Sequence, residues 1–229
     1  MTLITSMIAG VFGFGGGMLL IAILPAFIGP SLIIPLHGIA QLASNSSRTL
    51  FSLNDVKWML LPPFLIGSIL GSFIAVTFLS SIPVDYIPVA IGLYMLLNLW
   101  NKSFSNAISK YESYYLLGFL QTGLGLIVGA TGPIVLSVLT KQLKSKDQII
   151  ATSSMCMTIS HLAKIPVYFT LTSSLFSNLS LISYMVVGAI IGSFFGTKLR
   201  LAENNDRIIK IIKWLITLLA IRMMVAALL

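Results

Sequence analysis

His37, Gln41, Ser44, Asn45 and Arg48 stand at i, i+4, i+7, i+8 and i+11 in an otherwise apolar stretch. Residues three and four apart stack on one face of an α-helix, so the spacing predicts a polar stripe along a helical segment. Amide, hydroxyl and imidazole groups closed by a guanidinium form a set suited to an oxyanion. The spacing returns 116 residues later as Ser153, Met157, Ser160, His161 and Lys164, with His161 in the place of Asn45 and Lys164 in that of Arg48. Two equivalent stripes, each tipped by a cation, point to a pseudo-twofold anion site inside a membrane.

Plainer roles stand beside this one. Arg48 lies near the end of its segment, where a long cation can snorkel toward water. Lys164 has no such excuse if the second half of the chain is inverted, because its end of the helix then lies on the outer side. A membrane histidine often just bonds a neighbouring helix. His37 and His161 are the only two, however, and both fall on the stripes. Gln41, Ser44, Asn45, Gln121 and Ser160 can donate to an oxyanion or simply join helices. Ionisable residues in a spanning segment cost about 2.5–3.5 kcal/mol on insertion scales and usually face the interior.

A second pair of features repeats at the same offset. Gly13-Phe14-Gly15-Gly16-Gly17 and Gly129-Ala130-Thr131-Gly132-Pro133 interrupt apolar segments at matching positions. Breaks of this kind mark binding sites in transporters, where helix N-termini direct N–H groups and positive dipole ends at an anion. Close helix packing by small residues is the plainer role. A nucleotide loop is excluded by the lack of a strand context. The candidate substrate-binding residues are therefore Gly13, Gly15, Gly16, Gly17, His37, Gln41, Ser44, Asn45, Arg48, Gln121, Gly129, Thr131, Gly132, Pro133, Ser160, His161 and Lys164.

Composition fixes the setting. The 229 residues are 57% hydrophobic and 9% charged, with mean hydropathy +0.99. Soluble domains carry about 25% charged residues, so this chain belongs in a lipid bilayer. The net charge of +8 reads as basic cytoplasmic loops and not as nucleic-acid binding. The six carboxylates, Asp55, Asp85, Glu112, Asp147, Glu203 and Asp206, fall in loops or at helix ends. That leaves no carboxylate proton relay and no oxygen-rich site for a hard cation. Any proton coupling would fall to the histidines. The single Cys156 excludes an internal disulfide. No Ser-His-Asp set, paired acids or metal-ligand spacing is present, so no catalytic residue, metal or cofactor is expected. The first segment has no basic leader and is expected to be retained.

The chain reads as apolar segments 1–12, 17–28, 31–50, 56–79 and 84–100, a polar connection, then 113–128, 134–140, 148–170, 176–197 and 206–229. Gly67-Ser-Ile-Leu-Gly71 matches Gly188-Ala-Ile-Ile-Gly192 at an offset of 121, and both read as helix-packing faces. This predicts one transmembrane domain over 1–229, built of repeats 1–101 and 111–229 joined by 102–110. Basic residues cluster at Arg48/Lys57, Lys102/Lys110, Lys141/Lys144/Lys146 and Lys198/Arg200/Arg207. With all four clusters cytoplasmic, both ends of 111–140 lie on that side, so this segment must enter and return. Twelve helical residues reach only about 18 Å, too short to cross. The expected fold is all-α: a polytopic helical bundle of two inverted-topology repeats, each a glycine-broken re-entrant hairpin plus three spanning helices. Eight plain spanning helices in parallel halves remain the alternative.

The glycine clusters Gly13–Gly17 and Gly129–Pro133, with Ala151-Thr152-Ser153 and Lys164-Ile-Pro-Val-Tyr168, resemble the sulfite exporter TauE/SafE family of membrane permeases. The likeness runs over nearly the whole chain. The chain departs from the family pattern at Pro25, at His37 in place of threonine-serine, and at Thr131-Gly-Pro133 in place of a second triple glycine. The resemblance implies a multi-pass protein of the prokaryotic cytoplasmic membrane that moves sulfite, sulfonates or related sulfur-containing anions. The leading expectation is an alternating-access transporter for a small anion. An anion channel and a non-transporting subunit of a larger complex are the rivals. Its expected partners are the small anion and the lipid bilayer; homo-oligomerisation is left open.

Overall fold

The computed structural model describes residues 1–79, 83–110, 112–171, 179–199 and 206–228. Among them every regular element is a helix: α1 (Thr2–Phe12), α2 (Gly16–Ile23), α3 (Pro30–Leu50), α4 (Leu61–Leu79), α5 (Ile87–Trp100), α6 (Lys102–Ser109), α7 (Tyr114–Val128), α8 (Gly132–Gln142), α9 (Lys146–Leu171), α10 (Leu179–Lys198) and α11 (Asp206–Leu228). Short 3-10 turns extend α2 over Leu24–Ala26 and precede α4 at Trp58–Leu60.

Three stretches are long and apolar enough to cross a membrane: Trp58–Phe78, Leu179–Lys198 and Ile209–Leu228. Well under half of each is buried inside the protein. Phe73 and Phe78 on α4, Tyr184 and Val187 on α10, and Ile211 and Leu218 on α11 all face outward. So much outward apolar surface suits lipid and not water. By contrast, α3 and α9 are long enough, at 21 and 26 residues, but too polar to qualify on composition. Most of their polar residues are buried by protein instead. An apolar sheath thus surrounds a polar central pair.

Glycine sets how the sheath closes. A Cβ on Gly71 of α4 would collide with the Phe119 carbonyl oxygen on α7. A Cβ on Gly192 of α10 would collide with the Leu3 carbonyl oxygen on α1. Phe119 follows Leu3 by 116 residues and Gly192 follows Gly71 by 121, the offsets of the sequence repeat. Each half therefore packs its Gly-x-x-x-Gly helix on the first helix of the other half, at backbone-to-backbone range that only glycine permits. Along another side α5 packs on α11, where Trp100 Nε1 donates to Thr217 Oγ1 at 2.8 Å and the Trp100 and Trp214 rings lie 5.0 Å apart.

Both glycine clusters break the helix. Gly13 (φ 81°) ends α1, with its N–H donating to Ala9 O, and Gly15 (φ 86°) precedes α2; Gly129 (φ 72°) ends α7. These left-handed conformations favour glycine, because a Cβ would strain each. After the first break, Gly16 lies against Thr5 and Ala9 of α1. After the second, Thr131 Oγ1 donates to Gln121 O at 2.8 Å and accepts from Gln121 Nε2 at 3.0 Å.

The polar connection differs from a plain loop. Residues Lys102–Ser109 form α6 because Asn101 caps it, accepting from Phe104 N–H at 2.9 Å, while the Phe104 ring meets Tyr94 of α5 at 6.2 Å. Likewise α8 begins at Gly132, with Pro133 in its first turn, and not at 134.

Candidate functional site

From Gln41 to Arg48 the stripe on α3 folds as a hydrogen-bonded ladder. Asn45 Nδ2 donates to Gln41 O at 2.7 Å and reaches Gln41 Oε1 at 3.4 Å. Arg48 donates to Asn45 Oδ1 at 3.3 Å, to Ser44 Oγ at 3.0 Å and, across to α9, to Ser154 Oγ at 3.3 Å. Ser44 in turn meets Ser193 of α10, whose hydroxyl donates to Ser44 O at 2.9 Å. With 3% of its surface exposed, Arg48 is an interior cation and does not snorkel. At the other end of the stripe, His37 Nε2 donates to Gly17 O at 3.0 Å, tying α3 to the start of α2.

These side chains face a cavity of about 50 Å³. His37, Gln41, Asn45 and Arg48 form one wall. Gly13, Gly15 and Gly17 come from the first break, and Gly132 and Pro133 from the second, so the opening turns of α2 and α8 meet here. Helix starts at one small space create a positive electrostatic environment before any side chain is counted. Ser153 and Met157 of α9, with Ala9, Phe14, Met18 and Ala130, complete the lining. Arg48 is the one side chain with a fixed charge among these lining residues. Of the carboxylates whose side chains are described, Asp85, Glu112 and Asp147 are exposed and Asp55 is half-buried, and none lines the cavity.

The remaining candidates sit beside the cavity and do not line it. Gly16 is used in packing on α1, and Gly129 abuts Ile21 and His37. Ser44 works through Arg48 and Ser193. Gln121 and Thr131 close the α7–α8 break on each other, and Gln121 Nε2 also meets Met157 Sδ at 2.8 Å. Ser160 pairs with Thr122 at 3.0 Å. His161 and Lys164 are 0% exposed, with the His161 ring 6.0 Å from that of His37 and edge-on to it. The first stripe thus meets the cavity almost whole, whereas the second offers only Ser153 and Met157.

Several contributors escaped the sequence reading. Ser154 sits one residue off the α9 stripe, yet it is within reach of the long Arg48 side chain. Ala9, Phe14, Met18 and Ala130 are apolar wall residues, indistinguishable in sequence from ordinary packing.

No curated protein and no solved structure matches the chain. The family described as "Sulfite exporter TauE/SafE" matches over residues 1–223. With nearly the whole chain matched, and a helical bundle carrying three apolar spans around a buried polar pair, the protein belongs to the sulfite exporter TauE/SafE family and is a multi-pass membrane protein of that transporter family, not of an enzyme family.

Proposed function

We propose that this chain is a permease for a small sulfur oxyanion, working by alternating access in the cell membrane. The observation that carries this reading is the cavity where both glycine breaks meet, lined by Arg48 and neutral donors with no carboxylate among the lining residues. Buried in low dielectric, such a set favours one anion and rejects cations. The cavity is small, about 50 Å³, which suits a compact oxyanion better than a bulky organic sulfonate.

The inverted-repeat reading supplies the motion. Exchanged Gly-x-x-x-Gly contacts at the repeat offsets, and the helix break at each glycine cluster, support two halves that rock about a central site. The cavity is one-sided, built mainly on the α3 stripe, as expected of one of two alternating states. A re-entrant hairpin that leaves both basic ends, Lys110 and Lys141, on the cytoplasmic side fits α7 at 15 residues and α8 at 11.

The test is flux into proteoliposomes of the purified protein. Sulfite flux should saturate and show counterflow exchange, and thiosulfate should compete. Benzenesulfonate, too large for the cavity, should compete at least tenfold less well. Ohmic, non-saturating sulfite currents would instead mark an anion channel. Equal competition by benzenesulfonate would remove the cavity as the selective element.

A further inference from the structure

The unused part of the α9 stripe has a chemistry of its own. Lys164 Nζ has no hydrogen-bond partner among the described residues, and neither has either ring nitrogen of His161. One turn further along α9, the hydroxyl of Tyr168 is also without one, at 1% exposure. Groups of this kind are costly when buried unpaired, an ammonium most of all. No described carboxylate is positioned to compensate, since Asp85, Glu112 and Asp147 are exposed and Asp55 is only half-buried.

The backbone nevertheless makes room for them. A Cβ on Gly125 of α7 would collide with Lys164 Nζ and lie 2.9 Å from Thr131 Oγ1, so glycine there houses the amine beside the α7–α8 break. Gly38 of α3 does the same for the Tyr168 ring. His37 joins the two regions: it lines the cavity on one side, and its ring meets His161 on the other.

We infer that Lys164, His161 and Tyr168 form a second position for the transported anion, occupied after the Arg48 cavity closes and the α9 side opens. The inference rests on the transport reading above and assigns the closed half of the site a ligand of the same class, a small oxyanion. An ammonium, an imidazole N–H and a phenol O–H all donate. Only an anion accepts from all three and supplies the counter-charge. His37, between the two regions, is the point the anion passes.

A structural lysine and a ligand-binding lysine predict opposite signs. A structural one loses partners on substitution and the protein loses stability; one without partners gains stability while function falls. The experiment uses Lys164→Met and Tyr168→Phe in the full chain, with sodium sulfite as the probe. Both variants should melt at or above the wild-type temperature. Both should keep sulfite-induced stabilisation, because the Arg48 cavity is untouched. Both should lose sulfite exchange flux by about tenfold or more, with Lys164→Arg restoring part of it. Wild-type flux in either Lys164→Met or Tyr168→Phe overturns the inference. So does a fall in melting temperature with flux lost only in proportion to folded protein. A wild-type protein with no saturable sulfite flux sinks the transport reading itself, and this inference with it.

Discussion

Arg48→Gln abolishes saturable sulfite flux and the sulfite-induced rise in melting temperature, while the protein stays folded. The guanidinium is held toward the cavity by Asn45, Ser44 and Ser154, so its fork is oriented before an anion arrives. A hydrogen bond to a charged group contributes about 1.5–3 kcal/mol, and tenfold in affinity is about 1.4 kcal/mol. Losing a two-pronged contact of this kind weakens binding by roughly 100-fold or more. Arg48→Lys keeps the charge without the fork and falls between, about tenfold down. The fold survives because the partners keep other bonds: Ser154 donates to Ile150 O at 2.8 Å, and Asn45 to Gln41 O at 2.7 Å. Titrating sulfite against melting temperature, alongside flux, separates the effects. Unchanged sulfite affinity in Arg48→Gln would sink the site.

Gly71→Ala and Gly192→Ala each lose stability, and by similar amounts. In each case the new methyl meets a backbone carbonyl of the facing helix, Phe119 O or Leu3 O, which cannot rotate away as a side chain can. Overpacking of this kind costs about 1–3 kcal/mol. For a chain of this size that is a drop of several degrees, at about 2–4 °C per kcal/mol. Gly29→Ala is the control, since nothing lies within 4 Å of the added carbon; as the N-cap of α3 it should lower the melting temperature far less than either. Thermal unfolding of the purified variants in detergent measures all three. A large loss in one of the pair with none in the other would refute equivalent packing in the two halves.

The polar ladder on α3 was legible because the chain is so apolar. Where polar residues are rare, five at helical spacing have few interpretations, and the repeat at 116 residues removes most coincidence. The glycine breaks were legible for the same reason, and Gly13, Gly15, Gly17, Gly132 and Pro133 do line the cavity. Periodicity gives the face a residue occupies but not which neighbours cover it. His161 and Lys164 therefore had the right face and an unforeseen surrounding, closed off from the cavity. Ser154 was illegible because its role depends on the length of an arginine on another helix. The α6 helix was hidden by its polar composition, although Asn101 three residues before Phe104 is a cap signal that was there to read.

The exchange of partners between halves bears on how the chain is made. While α1 to α5 leave the ribosome, α4 has no α7 to close against and α1 has no α10. Meanwhile the buried ladder of α3, with Arg48 on it, has no α9 to shelter it from lipid. The first half must wait, unfinished, for the second to be synthesised. Truncation anywhere before α10 leaves that half exposed to quality control, with no smaller stable product to fall back on.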